Sequence, residues 1–156
     1  MTDRQRARVY AAEDAWGLRL DAARRGALRA TVAGSSLVLP AEVRFGTLAA
    51  ARAYADDLVR RQGLPPVVLR QRRGHARAHW EPPGTVALPL PRHGEPWALR
   101  EAVLLHELAH HAAFHREGVT DHGSSYVTTM LQLVTEAMGE HAAFALKVDY
   151  AEAGVT

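Results

Sequence analysis

The sequence contains no cysteine, which excludes disulfide bridges, thiolate chemistry and any zinc ribbon built on thiolates. A metal ion in this chain would have to be held by histidine, aspartate or glutamate. Lysine is nearly as scarce: of the 19 basic residues, only Lys147 is not arginine. No apolar run approaches the roughly 20 residues that a bilayer-spanning helix needs. The opening MTDRQRARVY carries charge where a secretory signal has its apolar core. These absences lead to the expectation of a cytoplasmic protein with no membrane partner. Internal repeats and low-complexity linkers are missing too, and 156 residues suit one compact domain, residues 1–156.

What is present is an ordinary globular composition, 47% hydrophobic and 23% charged, which argues against extensive disorder. The formal net charge of +2 is too small to argue nucleic-acid binding by itself, although the isoelectric point near 9.4 leans basic. Arg60, Arg61, Arg70, Arg72, Arg73 and Arg77 form a basic stretch that could touch phosphates. The simpler expectation is that these arginines solubilise strands and guard a sheet edge.

The order of elements predicts an α+β fold. Residues 4–25 suit a helix, weakened by Gly17. Arg29–Ala33 and Leu37–Leu39 flank Gly34-Ser35-Ser36 as a β-hairpin. Thr47 is a fitting N-cap for a helix to about Arg61, ended by Gly63 and Pro65. Three extended stretches follow, Val67–Gln71, Ala76–Glu81 and Thr85–Leu90, the last two joined by Pro82-Pro83-Gly84. Pro89 and Pro91 place the third at a sheet edge, where a missing donor is harmless. Pro96 suits the first position of a helix running to about Glu117 and stopped by Gly118. Its apolar positions, including Val103, Leu104, Leu108 and Ala112, surround most of its circumference, so it should be a buried central helix. Two more helices are expected, one from Ser124 or Ser125 to Met138 and one from Glu140 to about Ala151.

The central helix carries His106-Glu107-Leu108-Ala109-His110. Residues four apart share a helix face, so His106 and His110 can direct two imidazoles at one ion. Glu107 lies beside the pair and can reach a water on the metal without being a ligand, which suits it to accept a proton as that water attacks a carbonyl. His111 and His115 repeat the spacing of four, but residue 112 is alanine, so they read as neighbours of the site or surface residues. His75, His79, His93 and His141 read as surface or structural, and Trp80 and Trp97 as core.

A catalytic zinc has three protein ligands and one open position. His122, in Asp121-His122-Gly123-Ser124-Ser125-Tyr126, is the first choice for the third, because it sits where the chain turns back into the next helix. Asp121 and Glu136 are its rivals, the latter as in glutamate-type zincins. The metzincin pattern is missing, since residue 113 is alanine and residue 116 arginine.

HELAHH followed by DHGSSY resembles the SprT-like zincin metalloproteases, in which HExxH precedes a third histidine in an HGxxF-type motif; His122, Gly123 and Tyr126 match, with tyrosine for phenylalanine. The whole chain is also similar to a family of short actinobacterial metallohydrolases defined by HExxH. That likeness runs through Arg8–Asp14, Leu39–Leu48, Trp97–His111 and HGSSY. The resemblance implies a zincin-like fold, with a small sheet of about three to five strands packed on the HExxH helix and further C-terminal helices. It also implies Zn2+ ligands at His106, His110 and His122, with Glu107 as the catalytic base.

The expected activity is zinc-dependent hydrolysis, most naturally of a peptide or protein laid along Thr85–Leu90 as an added strand. The zinc ion and Tyr126 are candidates for oxyanion stabilisation, although an aromatic at position 126 suits packing better. Two alternatives remain: a non-catalytic zinc-containing binding or regulatory domain, and a metal-dependent amidase on a small or cell-wall substrate.

Overall fold

A computed structural model describes residues 2–74, 77–90 and 97–156. The expectations for His75, Ala76, Pro91, His93 and Pro96 lie outside the described residues. Among those described, the chain is α+β, with five helices and two small sheets. No helix there is long and apolar enough to cross a membrane. The chain forms two compact units, Met1–Glu42 with Asp121–Thr156, and Val43–Thr120.

In the first unit, helix α1 (Arg6–Arg24) buries Val9, Ala12, Trp16, Leu20 and Ala23. Their spacing of three and four residues makes one apolar stripe, and Gly17 is buried within the helix rather than breaking it. Helices α4 (Ser124–Met138) and α5 (Glu140–Glu152) pack together, and α5 also packs on α1. The Trp16 indole donates to the Ala142 carbonyl at 3.1 Å, and Arg19 grips the buried Asp149 carboxylate through Nε and Nη2. Strands β1 (Arg29–Val32) and β2 (Ser35–Val38) form the hairpin. Its turn is Ala33-Gly34, both at positive φ, and not Gly34-Ser35-Ser36: the serines already pair with Val32 and Thr31. Two residues with φ above zero give the turn whose twist matches the strands.

In the second unit, Thr47 caps α2 (Leu48–Arg61) by accepting the Ala50 amide at 3.1 Å. Strands β3 (Val68–Arg72), β4 (His79–Glu81) and β5 (Thr85–Pro89) form a sheet in the order β3-β5-β4. β5 runs parallel to β3 and antiparallel to β4. The edge position expected for Thr85–Leu90 is therefore corrected, since β5 is the middle strand. The physical reason is visible in its run Val86, Ala87 and Leu88, all fully buried, the mark of a strand covered on both faces. Pro89 is tolerated because it is the last strand residue, opposite Arg72.

Helix α3 (Glu101–Glu117) ends at Gly118, which takes the left-handed conformation with φ 71°. It begins at Glu101, later than the expected start at Pro96. Val43–Phe45 pairs with Leu99–Glu101, the Phe45 amide donating to Leu99 O and the Glu101 amide to Val43 O. That pairing holds Arg100 extended, so the helix can only start after it. The buried Glu101 carboxylate then accepts the Val43 amide and the Tyr54 hydroxyl. Trp97 is also corrected: it is 38% exposed and not part of the core.

Candidate metal centre

α3 is buried nearly all round, with Leu104, Leu105, Leu108, Ala109, Ala112 and Ala113 supplying the apolar surface. Such a helix has no polar face to spare, yet His106, Glu107, His110 and His111 are all buried on it. Buried polar groups persist only where partners or a ligand satisfy them. The His106 and His110 rings, one turn apart, have centroids 5.1 Å apart and planes at 68°. The Glu107 carboxylate lies near the first of them, its Oε1 4.0 Å from His106 Nε2.

Trp80, from β4, lies against this part of the helix. Its ring stacks on His110 at 6.4 Å with planes 14° apart, and its indole N–H donates to His111 Nδ1 at 3.2 Å. His111 Nε2 in turn donates to Pro65 O at 2.7 Å, so both its nitrogens are engaged. Burial pushes the His111 imidazole below its ordinary value; the nearby His115 adds to this, and the Pro65 carbonyl opposes it. His111 is thus a neutral structural histidine. Gly84 makes room for it, since a Cβ there would stand 2.9 Å from His111 Cε1 and 3.2 Å from Pro66 O. His115 donates to Pro83 O at 2.6 Å. The neighbouring pair of histidines therefore braces the loop around the Pro82-Pro83-Gly84 turn.

His122 stands just before α4, whose N-cap is Gly123. It is buried, its ring 5.3 Å from that of Tyr10 and 4.9 Å from that of Tyr126. Asp3 receives the His122 ring at Nδ1 (2.6 Å) and the His122 amide (3.2 Å) on the same oxygen, Oδ2. Burial alone would raise the Asp3 carboxyl. The bonds and charge of His122, with the Gln5 amide, outweigh it and hold the group below the usual aspartate value. No sequence signal pointed to Asp3. Its bond to His122 spans 119 residues of chain, and a single aspartate near the start has no spacing to mark it.

His106, His110 and His122 form a buried group that could bind a metal ion, each offering one ring nitrogen, with these atoms within 4.8 Å of one another. Three neutral imidazoles suit zinc and leave a position open for a further ligand. Neither Asp121 nor Glu136 belongs to the group. Asp121 turns its Oδ1 to the Gly123 amide at 3.1 Å, shaping the turn into α4. Glu136 lies exposed near the far end of that helix.

Tyr126 is fully buried, and its hydroxyl donates to Glu13 Oε1 at 2.9 Å. The Tyr150 hydroxyl donates to the same oxygen at 2.6 Å. Tyr126 therefore packs its ring on His122 while its hydroxyl is committed to α1, as the packing expectation had it. His141 accepts the Val38 amide, and His79 sits between Arg72 and Glu81. Within the basic stretch, Arg60 and Arg61 both pair with Asp57, and Arg70 pairs with Glu81.

No family sequence model, curated protein or solved structure matches the chain.

Proposed function

We propose that the chain is a zinc-dependent hydrolase, a zincin-type metallopeptidase in which His106, His110 and His122 hold the ion and Glu107 is the general base. The observation that carries this reading is the Glu107 carboxylate, buried and 4.0 Å from His106 Nε2. A structural zinc site closes with four protein ligands and has no use for a carboxylate at that place. When bound, zinc supplies Lewis acidity toward water and a carbonyl. Glu107 accepts the proton of the attacking water and returns it to the departing amine, a role that needs only one carboxylate within reach. The likeness of HELAHH and HGSSY to the SprT-like proteases supports the same assignment.

The substrate strand is β4 rather than β5. β4 is outermost in the order β3-β5-β4, packs on α3, and carries Trp80 against His110. Backbone pairing along such a strand reads an extended peptide with little side-chain preference. A peptide fits better than a nucleic acid because Arg60, Arg61 and Arg70 already pair with carboxylates.

Metal analysis with digestion of a broad set of peptides and unfolded proteins tests the proposal on the wild type and Glu107→Gln. The expected result is one zinc per chain in both and cleavage by the wild type alone. Equal cleavage by the two would sink the mechanism. Zinc in both with cleavage by neither would leave a binding domain.

A further inference from the structure

His122 is held on several sides. Its ring sits between Tyr10 and Tyr126, and its carbonyl accepts Gln5 Nε2 at 3.3 Å. Gln5 is itself held by Thr156, whose amide donates to Oε1 at 2.6 Å and whose carbonyl accepts Nε2 at 2.9 Å. What these contacts leave open is which ring nitrogen carries the hydrogen and which way the ring is turned about its own axis. A neutral imidazole offers one donor and one acceptor nitrogen. A carboxylate can only accept, so the 2.6 Å contact to Asp3 places the hydrogen on Nδ1 and leaves the lone pair on Nε2. The same Oδ2 also accepts the His122 amide, so one oxygen fixes the ring and the backbone that bears it.

We infer that Asp3 is a positioning residue for the metal. It sets the tautomer of His122 and turns Nε2 toward the group formed with His106 and His110. This rests on the zinc reading above. A carboxylate behind a histidine ligand makes the imidazole a better donor and removes the need to reorient it on binding; loss of such a partner typically lowers metal affinity by about 10- to 100-fold. Gln5 serves the same end indirectly, by holding the segment that carries Asp3 against His122.

The test is zinc affinity, measured by competition with a chromophoric chelator on the full chain. The set is wild type, Asp3→Ala, Asp3→Asn and Tyr126→Phe, with circular dichroism of each. Asp3→Ala should bind zinc about 10- to 100-fold more weakly. Asp3→Asn keeps an acceptor of the same shape and should fall between the two. Tyr126→Phe keeps the ring beside His122 and should match the wild type. The visible spectrum of the cobalt(II)-loaded protein should change with Asp3→Ala and not with Tyr126→Phe, which a general loss of stability would not produce. If Asp3→Ala does not fold, Asp3→Asn carries the test, and wild-type affinity and spectrum there overturn the inference. A folded Asp3→Ala with unchanged zinc affinity overturns the role of Asp3 while leaving the zinc reading intact. A wild type that takes up no zinc overturns both.

Discussion

The indole of Trp80 lies nearly parallel to the His110 imidazole, with planes 14° apart, and its N–H reaches the next histidine, His111. One side chain from β4 therefore lies flat against one histidine of α3 and holds its neighbour by a hydrogen bond. The two functions separate in Trp80→Phe. That variant keeps an aromatic face for His110 but leaves His111 Nδ1 without its donor. Removing one partner of a buried hydrogen bond costs about 1–3 kcal/mol. Urea unfolding should show a loss of this size, while metal analysis still finds one zinc per chain.

Gly84→Ala should destabilise the chain, because the added methyl meets His111 Cε1 at 2.9 Å and backbone Pro66 O at 3.2 Å. Overpacking of this kind costs about 1–3 kcal/mol. In a double-mutant cycle with His111→Ala the two losses should fall short of additive, since removing the ring relieves the clash. Additive losses in urea unfolding would contradict the contact.

The choice of third ligand separates three variants. His122→Ala should lose tight zinc binding, whereas Asp121→Ala and Glu136→Ala should retain it. Asp121→Ala should still lower the melting temperature, since it removes the acceptor for the Gly123 amide. Full zinc occupancy in His122→Ala would move the ligand to one of the other two.

Tyr150 sets an expectation at alkaline pH. Burial, then the neighbouring Glu13 carboxylate and the bond to it, push its phenol well above 10, with a smaller opposing contribution from Tyr126. The folded state holds this proton more tightly than the unfolded state. The stabilisation is therefore complete below about pH 10, and is lost as pH rises from there through the folded value. Of the four tyrosines, Tyr150 should gain phenolate absorbance only together with unfolding. A Tyr150→Phe variant should lose this part of the alkaline slope.

The features legible in the sequence are those set by local chemistry. Thr47 caps α2 because its hydroxyl can reach an amide three residues on, and Gly118 ends α3 because its φ of 71° suits glycine. The HELAH spacing is equally local, since four residues complete a helical turn. The features that were hidden depend on chain segments far apart in sequence. Pro89 suggested an edge strand, but strand order is decided by which segments meet, and β3 and β4 took both sides of β5. The start of α3 depended on Val43–Phe45, and the partner of His122 on Asp3, 119 residues away. Glu13 likewise has no motif, although two tyrosine hydroxyls converge on it.

That convergence has a mechanical consequence. Tyr126 is in the first turn of α4 and Tyr150 in the last turns of α5, and both terminate on one oxygen of α1. α4 cannot slide along its axis or rotate about it without surrendering a bond inside the protein. Glu13 thus pegs both α4 and α5 to α1 through a single atom. Replacing Glu13 with glutamine would keep an acceptor for both hydroxyls, whereas alanine would leave two buried tyrosines without it.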